Sequence, residues 1–296
     1  MFLDSDARPF WGGTYFPKVP TYGRPSFVDV LERISGIYHK EPEKVTGNAD
    51  ALMKSLSEQS AGGEGPRITD QLLREVTMRL ARAVDPVHGG IAGAPKFPQW
   101  SFFWLLWRGA IRYRHEPAKA AVTKTLERMT MGGIYDHLGG GFARYSVDEL
   151  WLVPHFEKML YDNALLIDLM TEVWRETQSP LLAGRIAETV DWLAREMLVE
   201  GGGFASALDA DSEGEEGKFY VWTSDEIDEV LGADDAAVFK RAYDVTPEGN
   251  FEGHTILNRL HSEGLGAPEE EAKLSELRAK LLARRASRVR PGWDDK

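Results

Sequence analysis

The sequence contains no cysteine, which excludes disulfides, thiolate catalysis and Cys-ligated zinc together. It has no run of about eighteen apolar residues, the length a transmembrane helix needs, so no membrane partner is expected. The opening stretch MFLDSDARPF lacks the basic and apolar regions of a signal peptide, and the cytoplasm is the default expectation. Basic residues are outnumbered, 35 Lys and Arg against 47 Asp and Glu, for a net charge of −12. That balance argues against a sequence-independent nucleic-acid surface. The one basic cluster, Arg284, Arg285, Arg288 and Arg290, falls in a terminal helical pattern and reads as a solvated face. There is no Walker loop and no HExxH, and the GGGF stretches lie between helical patterns, so they are not dinucleotide fingerprints. No cofactor and no metal is expected.

What is present is a sizeable core and many rings: 43% hydrophobic residues, nine Trp and thirteen Phe in 296 residues. The start reads as a hairpin, MFLD and PFWGGTYFP around a turn at SDAR. Two strands alone are marginal in water, so this is a piece of a sheet. A helix capped by Ser26 follows, then another over about residues 43–59. SAGGEGPR, residues 60–67, is the linker candidate.

Beyond it the pattern is helical, near residues 69–84, 99–115, 118–131, 155–178, 181–198, 224–231, 235–243 and 269–287. Connections alternate long and short. In an antiparallel array alternate connections lie at opposite ends, so all the long Gly-rich loops should converge at one end. Gly89, Gly140 and Gly202 start similar Gly-Gly pairs in HGGIAGAPKFP, LGGGFARYSVD and EGGGFASALDAD, 51 and then 62 residues apart. A repeating helical hairpin implies an α-solenoid or a closed α/α toroid.

These motifs, together with RPFWGGTYFP, GGIYDHLGGGFARYSVDELWLVPHFEKMLYDNALL, LDADSEGEEGKFYVWT and GNFEGHTIL, resemble the spermatogenesis-associated protein 20 family, also called YyaL-type thioredoxin-domain proteins. The resemblance implies a thioredoxin-like domain followed by an (α/α)6 toroid of the six-hairpin glycosidase and N-acylglucosamine 2-epimerase type. It assigns residues 1–60 to the C-terminal remnant of the thioredoxin-like domain, 61–67 to a linker and 68–296 to a partial toroid. Family members carry a Cys-containing redox motif that is absent here, and they continue into further toroid helices beyond RPGWDDK. The chain thus reads as a fragment, for which separately encoded toroid or thioredoxin-like segments are expected partners.

The chemistry concentrates in WLVPHFEKMLYDN, residues 151–163. Read as a helix start with Pro154 in its first turn, it places His155, Lys158 and Asp162 on one face and Glu157 and Tyr161 on a second row. A His at a helix N-terminus tends to stay neutral, which suits a general base. In YDHLGGGFARYSVD, Arg144 suits a carboxylate or phosphate, or else an ion pair with Asp136 or Asp148. DADSEGEEGKFY matches half of a calcium loop, but its twelfth position is Tyr220 where a Glu is required. Glu215 and Glu216 read as solvated.

The expected function is carbohydrate processing or binding, with a saccharide as the small-molecule partner. For epimerisation or isomerisation, His155 and His254 are the proton-transfer candidates. For glycoside hydrolysis, Glu157 or Asp136 would act with Asp209. Trp151, Trp222 and Tyr145 are the expected stacking surfaces, and Arg144, Lys158, Tyr161, Asp162, Asn163 and Asp211 complete the expected substrate-binding set. A non-catalytic sugar- or protein-binding module and a redox-associated protein remain the alternatives.

Overall fold

In a computed structural model, the structure describes residues 1–21, 23–60, 65, 67–262 and 264–294. They divide into two compact units, Met1–Ile68 and Thr69–Lys296. Most of the expected linker, residues 61–64 and 66, lies outside the described residues.

The first unit holds the hairpin β1 (Phe2–Leu3) and β2 (Pro9–Trp11), then α1 (Phe27–Lys40) and α2 (Pro42–Ser60). Ser26 caps α1: its hydroxyl accepts from the Asp29 N–H, and the Asp29 carboxylate accepts from the Ser26 N–H, a reciprocal capping box. Helix α2 packs on β2, and Phe10, Val30, Ile34, Val45 and Ala49 form the core.

The second unit begins with α3 (Asp70–Ala83), α4 (Trp100–Tyr113), α5 (Glu116–Met131), α6 (Leu160–Thr177) and α7 (Pro180–Trp192), which ends in a π-helical turn, Leu193–Met197. Helix α3 packs on α4, α4 on α5 and α6 on α7, and alternate helices also touch: α3 with α5, α5 with α7, and α4 with α6. Odd helices thus form one layer and even helices the other, which is the layering of an α/α toroid. Around Leu106, Val122, Leu166, Met170 and Trp151 the two layers share one core. A second core gathers α8 (Ser224–Leu231), α9 (Ala233–Ala242) and α10 (Pro268–Arg285) around Ile227, Phe239, Leu274, Leu277 and Leu281.

The long connections do converge, and backbone pairs stitch them together. Lys96 of the α3–α4 loop exchanges two 2.8 Å hydrogen bonds with Ser146 of the α5–α6 loop. In the latter, β3 (Tyr145–Ser146) pairs with β4 (Pro154–His155), and β5 (Lys158–Met159) pairs with β6 (Ala207–Leu208) of the next loop. That loop also forms the hairpin β7 (Asp211–Ser212) and β8 (Glu215–Glu216), and its Trp222 exchanges bonds of 3.1 and 2.7 Å with Thr255 of the last loop. Strand β9 (Trp293–Asp294) adds to β6.

Two expectations about the local fold are corrected. Helix α6 starts at Leu160, not near 155, because residues 154–159 find strand partners in Ser146 and Ala207. The shared helical face of His155, Lys158 and Asp162 therefore does not exist. The terminal basic cluster is a solvated face only in part: Arg284 and Arg290 are exposed, whereas Arg285 is buried, 1% exposed, on the apolar stripe of α10.

Candidate functional site

Beneath the converged loops lies a buried ion triad. Asp136 accepts Arg285 Nη1 and Nη2 at 2.8 Å each and Lys158 Nζ at 2.8 Å, and its Oδ1 also accepts the Leu138 and Gly139 N–H groups. Although burial opposes the charge, Arg285 and Lys158 hold the Asp136 carboxyl well below the usual carboxylate range. One carboxylate serves two cations, and burial pushes the Lys158 ammonium down despite Asp136. Lys158 also donates to Gly140 O at 2.8 Å. The triad thus pins the Gly-rich turn and the strand segment next to Glu157 onto α10.

Gly140 has a positive φ of 81°, and an added Cβ would collide with the Glu188 carbonyl oxygen. A side chain there would be both strained and blocked. A cavity of about 30 Å³, lined by Tyr135, Asp136, His137, Lys158 and Tyr220 among others, abuts the triad. Burial drives His137 well below its ordinary pKa; it donates through Nε2 to Gly132 O, so it is a neutral structural imidazole.

Above this platform lies a chemically mixed rim, half-buried at Arg144, Tyr145 and His155 and buried at Glu157. Tyr145 stands opposite His155 across the β3–β4 ladder, and their rings stack at 5.0 Å, a cross-strand pair of the kind that stabilises sheets. The other face of the stack is Phe97, 4.6 Å from Tyr145 and 39% exposed. The Glu216 carboxylate accepts from His155 Nδ1 at 2.7 Å. That fixes the ring and leaves Nε2 facing Glu157 Oε2 at 3.7 Å. Arg144 donates to the same Glu157 oxygen at 2.9 Å.

Asp162, in the first turn of α6, is buried and accepts the Trp100 indole N–H at 3.3 Å. Burial raises its pKa from 3.8 to about 6, with the Glu157 charge adding to the effect and Arg144 opposing it. Asp162 is therefore a carboxyl group poised to exchange a proton near neutral pH.

The structure gathers five expected residues at this rim, His155, Glu157, Arg144, Tyr145 and Asp162, with Tyr161 exposed beside Asp162. Others prove structural. Asp136 and Lys158 neutralise one another inside the fold. Trp151 is fully buried, donating to His88 O with its ring against Gly90; Trp222 is fully buried in the second core. Neither is a stacking surface.

Asn163 is fully buried and brackets the Phe142 backbone, donating to its O at 3.0 Å and accepting its N–H at 2.7 Å. Arg144 pairs with Glu157 and not with Asp136 or Asp148; Asp148 instead accepts the N–H groups of Leu150, Leu152 and Val153.

Asp209 and Asp211 are exposed; the Asp209 carboxylate accepts the Asp211 N–H at 3.3 Å. Among the described residues no hydrogen bond joins them to Asp136. His254 sits on a tight turn, with Nδ1 against Glu252 O, and lines a neighbouring cleft whose wall includes Glu216. Among the described residues no hydrogen bond or ring contact joins His155 to His254.

Sequence reasoning missed Glu216, Trp100, Phe97 and Arg285. Only Arg285 carried a signal: it continues the spacing of Leu274, Leu277 and Leu281 along the buried stripe of α10.

Among the described residues no helix is long and apolar enough to cross a membrane. The family model Thioredox_DsbH, described as a protein of unknown function, DUF255, matches residues 1–57. Spermatogenesis-associated protein 20 of Homo sapiens is 31% identical over 336 residues, covering 100% of this chain and 43% of that protein. The Mus musculus protein of the same name is 34% identical over 78% of this chain and 31% of its own length. An uncharacterized protein of Caenorhabditis elegans is 30% identical over 94% of this chain and 42% of its own length. The chain thus spans less than half the length of these relatives. A solved cellobiose 2-epimerase from Spirochaeta thermophila DSM 6192 is similar at 20% identity and a TM-score of 0.40, over 49% of this chain and 42% of that one; a likeness so slight bears on neither activity nor substrate.

Fold and matches define a mostly α protein in which a thioredoxin-type segment precedes an arc of an α/α toroid. The chain belongs to the spermatogenesis-associated protein 20 family.

Proposed function

We propose that the rim binds a saccharide and carries out proton transfer on it, as in sugar epimerisation or isomerisation. The observation that carries this reading is the partly open stack of Phe97, Tyr145 and His155 beside Arg144, Glu157 and Asp162. Aromatic faces suit the C–H faces of a sugar ring, and the flanking carboxylates and guanidinium suit its hydroxyls. His155, oriented by Glu216, is the proton acceptor, and Asp162, with its pKa raised to about 6, is the complementary donor. Arg144 keeps Glu157 in place as a hydrogen-bond acceptor for substrate.

Calorimetric titration of a panel of mono- and disaccharides tests the reading. One of them should bind, and Tyr145→Ala should weaken it roughly tenfold, about 1.4 kcal/mol, without unfolding the protein. If no member of the panel binds folded protein at millimolar concentration, the rim is not a saccharide site.

A further inference from the structure

A second concavity, sharing no residue with the rim, lies where the π-helical turn, α10 and the following tail meet. Its volume is about 340 Å³, in the range of small-molecule sites. Phe219, Ala279, Leu282 and Ala283 give it apolar walls, and Arg195, Arg285 and Arg290 face it with Glu196 as the one lining carboxylate. Three guanidiniums against one carboxylate is a local excess of cation in a chain whose net charge is −12.

Several guanidinium donors around this concavity are unused. Glu196, 6% exposed at its side chain, is shared by Arg195 at 2.7 Å and Arg290 at 3.1 Å. Arg195 turns Nε and Nη2 to Glu196 and reaches Gly139 O as well, which leaves Nη1 without a hydrogen bond among the described residues. Arg290 spends only Nη2, so its Nε and Nη1 are also open among the described residues. Arg285 gives both Nη groups to Asp136, and its buried Nε has no partner among them. A buried guanidinium N–H with no acceptor is costly, and here it belongs to a residue that lines a cavity bordered by two more cations.

From this juxtaposition we infer that the cavity binds a small organic oxyanion, a phosphate or carboxylate group carried on an apolar body. The open donors of Arg195 and Arg290 take the oxyanion in the forked geometry that guanidinium favours. The apolar body packs on Phe219 and Leu282. This site stands independently of the saccharide reading.

The test is calorimetric titration of the whole chain with phenyl phosphate, benzoate, inorganic phosphate and benzyl alcohol, the last an uncharged control. Phenyl phosphate or benzoate should bind more tightly than benzyl alcohol and than inorganic phosphate, and the tighter of the two names the oxyanion. Arg290→Ala combined with Glu196→Gln removes the cation and its buried partner together, and should weaken binding at least tenfold. Arg290→Lys keeps the charge but loses the fork, and should weaken binding severalfold; it decides the matter if the double variant does not fold. Absence of binding at millimolar concentration, binding matched by benzyl alcohol, or an unchanged Kd in a folded Arg290 variant overturns the proposal.

Discussion

Replacing Asp136 by Asn tests how the loop end is held together. The side chains of Asp136, Arg285 and Lys158 are 7%, 1% and 3% exposed, so both cations depend on this carboxylate inside the fold. Asparagine keeps the size and can still accept the Leu138 and Gly139 N–H groups. It removes the charge, and its amide N–H₂, in the place of Oδ2, faces both Arg285 Nη2 and Lys158 Nζ as a further donor. Breaking a buried pair from one side costs about 3–5 kcal/mol, because the surviving charge stays desolvated; here two cations survive, which points to the upper part of that range.

Arg285→Met should cost less, since Lys158 still neutralises Asp136. In urea, where m reaches about 3 kcal/mol/M for larger units, Asp136→Asn should lower the midpoint of the helical unit by more than ~1 M. The same interaction sets the acid limb. A carboxylate whose pKa is depressed on folding contributes stability above its unfolded value, and that contribution is lost as pH falls through the lowered one. The wild-type unit should therefore weaken below about pH 4, and the variant should weaken less. A loss under ~1 kcal/mol for Asp136→Asn, or a greater loss for Arg285→Met, would refute the reasoning.

Further outcomes concern single positions. Asp162 has its folded pKa raised from 3.8 to about 6, so it opposes folding above pH 6 and that penalty fades as pH falls through this range. Asp162→Asn should flatten the gain in thermal stability between pH 7 and pH 5, and a carboxyl resonance titrating near 6 should vanish from the NMR spectrum. Gly90→Ala places a Cβ 2.5 Å from the Trp151 ring at a positive φ of 73°; a loss of about 2–3 kcal/mol in chemical denaturation is expected. Trp151→Ala empties a fully buried site and should cost about 3–5 kcal/mol by the same measurement.

The helices were legible because their signals are local. Ser26, Thr69 and Ser179 each cap the N-terminus of a helix with a side-chain oxygen, and the alternation of long and short connections carried the antiparallel layering. Residues 154–159 were misread because Pro154 suits a helix start as well as a strand, and their pairing partners Ser146 and Ala207 are distant in sequence. Tertiary pairing overrode a plausible local pattern.

The candidate site was legible as a neighbourhood and not as an arrangement. His155, Glu157, Arg144 and Tyr145 were singled out as types, yet their grouping depends on β3 lying beside β4. Glu216 could not be distinguished from its neighbour Glu215 by type; the β7–β8 hairpin brings it to His155. Trp151 and Trp222 misled because a tryptophan in a Gly-rich loop has the same letters whether it faces a ligand or fills the core.

The most direct measurement of the central claim is a saccharide titration followed on the tryptophan indole N–H resonances of isotope-labelled protein. Trp100 donates its indole N–H to Asp162 at the rim, whereas Trp151, Trp192 and Trp222 are fully buried. A saccharide bound at the rim should shift the Trp100 resonance in a saturable manner, leave those three in place, and lose this effect in Tyr145→Ala. A saccharide that binds while leaving Trp100 unmoved, or that binds Tyr145→Ala equally well, would contradict the account.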